Sequence, residues 1–353
     1  MRKRENNKLI LFIILGVIVL CGIGVGIYFI INNKNNGTIP DNDKKDDVKE
    51  ELKEDKKVTI IDVDSNTRPY AVMINCHNEA LPQAGLDKAY IVYELMVEGG
   101  ITRMMALFKD TDVDKIGSVR SARIQYLDYV YENDAIYGHA GGAEDALKRI
   151  ASEGINDVDV DGQYGFRDTS LNRAWEHKLF TSTKLLGEGT SNRKYRTTTE
   201  TKSLLKYSAE EIDLSKLDGS SVANNVSVKY SDYRTSNYTY DSENKVYLRS
   251  MNDTKNVDLV TGEQYKVKNI IIYGVNYSNY CDHGYCAYQK IDNVGSGEGY
   301  YVSNGYSIPI TWSKSGKNDK TIYKIKASGE ELVVNDGNTY IQIYPTSGNL
   351  SIN

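Results

Sequence analysis

Several common sources of function are scarce or missing in this 353-residue chain. The formal net charge is −5, and no basic stripe with interleaved aromatics occurs, which argues against bulk nucleic-acid binding. No Gly-x-Ser-x-Gly elbow surrounds Ser118 or Ser121, so a serine hydrolase is poorly supported. No period of constant length recurs, which excludes a solenoid. Phenylalanine and tryptophan are few, 5 and 2 residues, against 28 tyrosines. Tyrosine suits half-exposed strands, where the ring packs and the hydroxyl stays wet; carbohydrate stacking is the second use it allows.

The N-terminus carries the one long apolar run. Arg2, Lys3, Arg4 and Lys8 precede uninterrupted apolar sequence from Leu9 to Ile31, and a bilayer span needs about 20 residues. Basic residues on the near side predict a cytoplasmic N-terminus and an extracellular remainder. Residues 1–31 are therefore expected to be a stub and transmembrane anchor. A cleaved signal peptide and lipidation at Cys21 are the competitors; Leu20 stands where a lipoprotein signal has a small residue. Residues 32–57 hold almost no large apolar side chain and read as a disordered, charged tether.

The exported part divides by pattern. Residues 58–207 alternate strand and helix signals, with strands expected at 70–75, 90–97, 102–108 and 135–140. Helices are expected after Ser121 and over about 143–152, giving a mixed α/β domain. Residues 208–353 hold short alternating runs punctuated by Gly, Asn, Asp and Ser, expected to form a mostly-β sandwich or curved sheet. The class is α+β.

The chemistry concentrates in Glu98-Gly-Gly-Ile-Thr-Arg103, Gly117-Ser-Val-Arg120-Ser-Ala-Arg123 and Gly138-His139-Ala-Gly-Gly142. A charge inside a strand-like run needs a partner or a ligand, and glycines permit close backbone approach. Arg120, Ser121 and Arg123 lie at a strand-to-helix handover suited to a phosphate or carboxylate, and Arg68, Arg103 and Arg167 could join them. Internal pairing with Glu94, Glu98 and Asp168 is the structural alternative. His139 and Glu98 are the candidate catalytic acid/base groups, with His77 and His177 behind them. Glu94 and Glu98, four apart, would share a strand face. Cys281 and Cys286, in an exported domain, read as a disulfide. Adding His283 as a zinc ligand leaves a fourth ligand missing, so no metal or other cofactor is assigned. Cys76 reads as packing.

Arg68-Pro-Tyr-Ala-Val-Met-Ile-Asn75, Pro82-Gln-Ala-Gly-Leu-Asp87, Tyr93-Glu94, Val97-Glu-Gly-Gly-Ile-Thr-Arg103, Ile116-Gly-Ser-Val-Arg-Ser-Ala-Arg123 and His139-Ala-Gly-Gly142 together resemble the YerB family. Tyr247-Leu-Arg249, Asp258, Asn269 and Gly295-Ser-Gly297 resemble that family's C-terminal domain. The resemblance implies an exported, membrane-tethered bacterial envelope protein of unassigned biochemistry. The order of anchor, tether, strand-end arginine motif and Gly138-His-Ala-Gly-Gly is also similar to that of LytR-CpsA-Psr proteins, which transfer wall polymers. Their Arg-Asp pair is not reproduced: Ser121 follows Arg120, Ile124 follows Arg123, and Asn75 stands in place of an aspartate. The expected partners are cell-wall material or envelope proteins, and the membrane. Three readings follow: an anion-binding envelope protein, a phosphotransferase or hydrolase acting on a wall precursor, and a tyrosine-rich scaffold built on the β segment.

Overall fold

The apolar segments of the first half become the middle of an 11-stranded sheet. In the computed structural model, which describes residues 56–282 and 284–353, β1 (Tyr70–Asn75) pairs antiparallel with β3 (Thr102–Phe108), and β3 with β2 (Ile91–Met96). β1 also runs parallel to β4 (Ile136–His139), and β4 to β5 (Asp157–Asp159) at one edge. The expected anchor, all but the last two tether residues, and His283 lie outside the described residues. Among the described residues no helix is long and apolar enough to cross a membrane.

The second half extends the same sheet. β11 (Thr339–Pro345) lies parallel to β2 on one side and to β6 (Asn269–Val275) on the other. β9 (Gly295–Ser303) and β10 (Tyr306–Lys314) continue outward from β6. The change of sequence pattern near residue 208 is thus not a break in the sheet, and residues 55–353 form one unit. A separate six-stranded sheet, built around Asn225–Ser231, Arg234–Asp241 and Val246–Met251, covers one face.

Strand periodicity sorts the core into two clusters. Ala71 and Met73 face the layer holding α1 (Ile124–Glu132) and α2 (Glu144–Glu153); Val72 and Ile74 face the six-stranded sheet and α3 (Thr183–Asn192). Both faces of the central strands are covered, which explains their nearly unbroken apolar runs. This layering also overturns the expected role of tyrosine. Tyr93, Tyr126, Tyr129, Tyr238, Tyr247, Tyr301 and Tyr340 are fully buried, because a sheet covered on both sides leaves its centre no half-wet face. Several reach polar partners inside: the Tyr93 hydroxyl donates to Glu132 at 2.7 Å, and Tyr126 to the Arg103 carbonyl at 2.7 Å.

Two buried ion pairs tie the halves of the sequence together. Glu94 on β2 meets Arg249 at 2.9 Å, both side chains wholly enclosed, and accepts from Thr102 and Ser236. Burial pushes the Glu94 carboxyl up, but Arg249, Thr102 and Ser236 outweigh it and hold it below the ordinary value. At the end of α1, Glu132 takes Lys314 at 2.8 Å and the backbone and hydroxyl of Thr321.

Candidate functional site

The motif arginines do not converge on one pocket; they separate into three groups. The first is built on the turn between β2 and β3. Gly99 and Gly100, both at φ +71, make that turn, and Glu98 opens it as a short 3-10 element. Strand parity ends at Met96, so Glu98 does not share a face with Glu94 as the four-residue spacing suggested. Glu98 instead receives Arg103 at 3.1 Å and both Nε (2.9 Å) and Nη2 of Arg123. Arg103 also donates to the Ser121 carbonyl at 2.6 Å, so Ser121 contributes backbone here. Arg123 lies over the Tyr288 ring, on a strand of the second half.

Burial raises the Glu98 carboxyl, yet hydrogen bonding by Arg123 and the charges of both arginines bring it down to about 2. Burial, then the charge of Arg123, lower Arg103 to about 10 against the pull of Glu98. A carboxylate held this firmly is a counter-ion, not an acid/base group.

The second group is structural. Arg68 is buried and donates from Nε to the Asp134 carbonyl at 2.6 Å, to Asn156 at 2.5 Å and to the Ala135 carbonyl at 3.3 Å, tying the start of β1 to the segments flanking β4. Arg167 pairs with Asp161 at 2.9 Å and lies over Trp175, rather than pairing with Asp168, which holds Lys115 at 2.5 Å. His139 is 1% exposed; Nδ1 meets the Gly141 carbonyl at 2.8 Å and Nε2 meets Asp157 at 3.1 Å. With both ring nitrogens engaged, it has no nitrogen left to take a substrate proton. The nearby glycines serve packing: a Cβ on Gly142 would come within 2.8 Å of Leu147, and one on Gly138 within 3.1 Å of Leu186.

The third group is chemically open. Arg120 follows the Gly117-Ser-Val segment, whose Ser118 carbonyl accepts from Asn75 at the end of β1. Its one recorded hydrogen bond is a 3.4 Å contact to the Glu176 carbonyl; Nε is enclosed without a partner, and no carboxylate pairs with it among the described residues. Burial holds its guanidinium below the ordinary value, with Glu176 opposing and Arg123 reinforcing. Beside it the rings of His77 and His177 stack at 5.1 Å and 11°. Burial first, then Arg120 and His77, hold His177 below its ordinary value.

One ligand atom each from His77, Glu79 and His177 lie within 4.8 Å of one another, a spacing a metal ion could use. The hydrogen bonds argue otherwise. Asn75 Oδ1 accepts from the His77 backbone, which fixes its amide so that Nδ2 donates to His177 Nδ1 at 2.9 Å. His77 Nδ1 accepts from the Glu79 backbone at 3.3 Å. With both Nδ1 atoms accepting, the neutral rings carry their protons on Nε2 and present donors outward. Two imidazole N–H groups beside a guanidinium suit an anion, and the exposed Glu79 carboxylate, 3.7 Å from His177 Nε2, is an internal example. His77 and His177 were thus legible as residue types, but the Asn75 amide that sets their tautomer carried no sequence signal.

Cys281 and Cys286 form a disulfide closing the hairpin of β7 (Tyr277–Asp282) and β8 (Tyr285–Ile291). Cys76 is buried with its thiol pushed up to about 12, by burial and then by the charge of Glu94, and is inert packing.

Two family models match the chain. One is described as the N-terminal domain of a protein of unknown function, DUF3048, and covers residues 58–196; the other is the corresponding C-terminal domain and covers 226–341. Over 336 residues the chain is 29% identical to the Bacillus subtilis (strain 168) protein named "Putative lipoprotein YerB", covering 92% of this chain and 94% of that one. The crystal structure of the YerB protein from Bacillus subtilis is similar with a TM-score of 0.68 at 27% identity, over 81% of this chain and 94% of that chain. The YerB resemblance read from the motifs is borne out. The likeness to LytR-CpsA-Psr proteins has no support, and Asn75, bonded to two histidines, supplies no carboxylate at the end of β1. The chain belongs to the YerB-like family of paired DUF3048 N- and C-terminal domains.

Proposed function

We propose that this chain is a membrane-associated protein of the outer face of the cell, which holds an anionic group of cell-wall material at the Arg120–His77–His177 cluster without transforming it. The lipoprotein name of the B. subtilis relative supports the location. The apolar run at 9–31 serves as the tether to the membrane.

One observation carries the ligand class. Arg103, Arg120 and Arg123 act on one another electrostatically, yet the buried Glu98 engages only Arg103 and Arg123. Arg120 is left as surplus positive charge, with the histidine donors beside it. A phosphate or carboxylate supplies what this group lacks.

The test is a titration of the full-length chain with inorganic phosphate and with purified wall material, comparing wild type with Arg120→Ala. Removing one charge-assisted contact is expected to weaken binding about tenfold or more. The effect should shrink at high salt. Unchanged affinity in a folded Arg120→Ala protein would remove this cluster from the function.

A further inference from the structure

A cleft of about 160 Å³ opens between α1, α2 and the disulfide-closed hairpin of β7 and β8. At ~30 Å³ per water it holds about five water molecules, room for one sugar ring or one amino-acid side chain. Ile124 and Ile291 give it apolar surface, and Tyr280 lines it with a ring stacked on Tyr288 at 5.6 Å and 29°. Other polar residues of the lining are already engaged. Asp128 pairs with Arg149 at 2.5 Å and accepts from Asn293 at 2.8 Å, while Tyr280 donates to Asp145. These bonds hold the shape of the cleft.

Lys290 and Lys317 differ. Both are exposed, both line the cleft, and neither forms an ion pair among the described residues. An aromatic wall with two uncommitted ammonium groups selects a ligand having a C–H face and a negative charge. The wall is preorganised. The disulfide closes the hairpin turn, Tyr277 is bonded to the Ile343 carbonyl at 2.7 Å, and Tyr288 rests against Arg123.

We propose that this cleft binds one carboxylated sugar unit of an extracellular polysaccharide, its ring against Tyr280 and its carboxylate between Lys290 and Lys317. The site is separate from the Arg120 cluster and does not depend on it.

Calorimetric titration of the full-length chain with sodium glucuronate, glucose and N-acetylglutamate tests the proposal. Glucuronate should bind saturably, with glucose and N-acetylglutamate each weaker by about tenfold or more. The Lys290→Ala/Lys317→Ala double variant changes only exposed side chains and should weaken glucuronate by about tenfold. Arg120→Ala should leave it unchanged. The proposal fails if glucuronate does not bind, if glucose matches it, or if the double-lysine variant binds as wild type. It also fails if N-acetylglutamate binds as well, which makes the site a carboxylate site without sugar selection, or if Arg120→Ala abolishes binding, which places the ligand elsewhere.

Discussion

Arg249→Ala is expected to lower the stability of the protein by about 3–5 kcal/mol, the usual loss when one member of a buried ion pair is removed. The cause is the charge left behind. Glu94 is fully enclosed, and without Arg249 its carboxylate keeps only the Thr102 and Ser236 hydroxyls. Either it stays ionised without a counter-charge or it takes up a proton at neutral pH, and both are costly. Thermal and urea unfolding of the full-length variant should show a midpoint lower by roughly 10 °C. The Glu94→Leu/Arg249→Met double variant removes both charges at similar volume and should recover most of the loss. Arg249 Nε has no partner among the described residues, so the charged pair is not fully satisfied even in the native protein. A single variant within about 1 kcal/mol of wild type would mean that water reaches this pair.

The pair also locates the limit of sequence reading. β1 and β3 were legible because an apolar strand covered on both faces is written as a local run, and α1 because Tyr126, Leu127 and Val130 follow helical spacing. The hairpin turn at Glu98 was legible from its glycines. That β2 has Thr339–Pro345 as a neighbour was not, since nothing local to Ile91–Met96 names a partner so distant along the chain. The same holds for the charges. Glu94 and Arg249 each look out of place in an apolar strand, but only the register of two separate sheets brings them together. Arg68 and Arg167 were assigned to a ligand because Asp134 and Asp161 gave no signal as partners. For Arg120 the motif gave the residue and the fold gave its meaning: Arg103 and Arg123 are paired and Arg120 is not.

Glu98→Gln should separate stability from binding, because the same carboxylate serves the fold and opposes the ligand. It leaves the enclosed Arg103 and Arg123 with a neutral acceptor, at an expected cost of about 3 kcal/mol. The pH dependence has a defined sign. The native carboxyl is held near about 2 against an ordinary 4.5, so it favours the folded state above the ordinary value. That contribution, up to ~3 kcal/mol, is lost as pH falls through the native value. The stability gap between wild type and Glu98→Gln should therefore be flat above about pH 5 and close progressively toward about pH 2. Comparing the two proteins cancels the titration of every other carboxylate; a gap independent of pH would show that Glu98 carries no such linkage. Anion affinity should move the other way. Glu98 offsets part of the positive charge at Arg120, so its neutralisation should tighten phosphate binding by roughly twofold to threefold at low salt. A less stable protein that binds phosphate more tightly is what three guanidinium groups sharing one counter-ion require. Weaker binding in folded Glu98→Gln protein would place the anion away from Arg120.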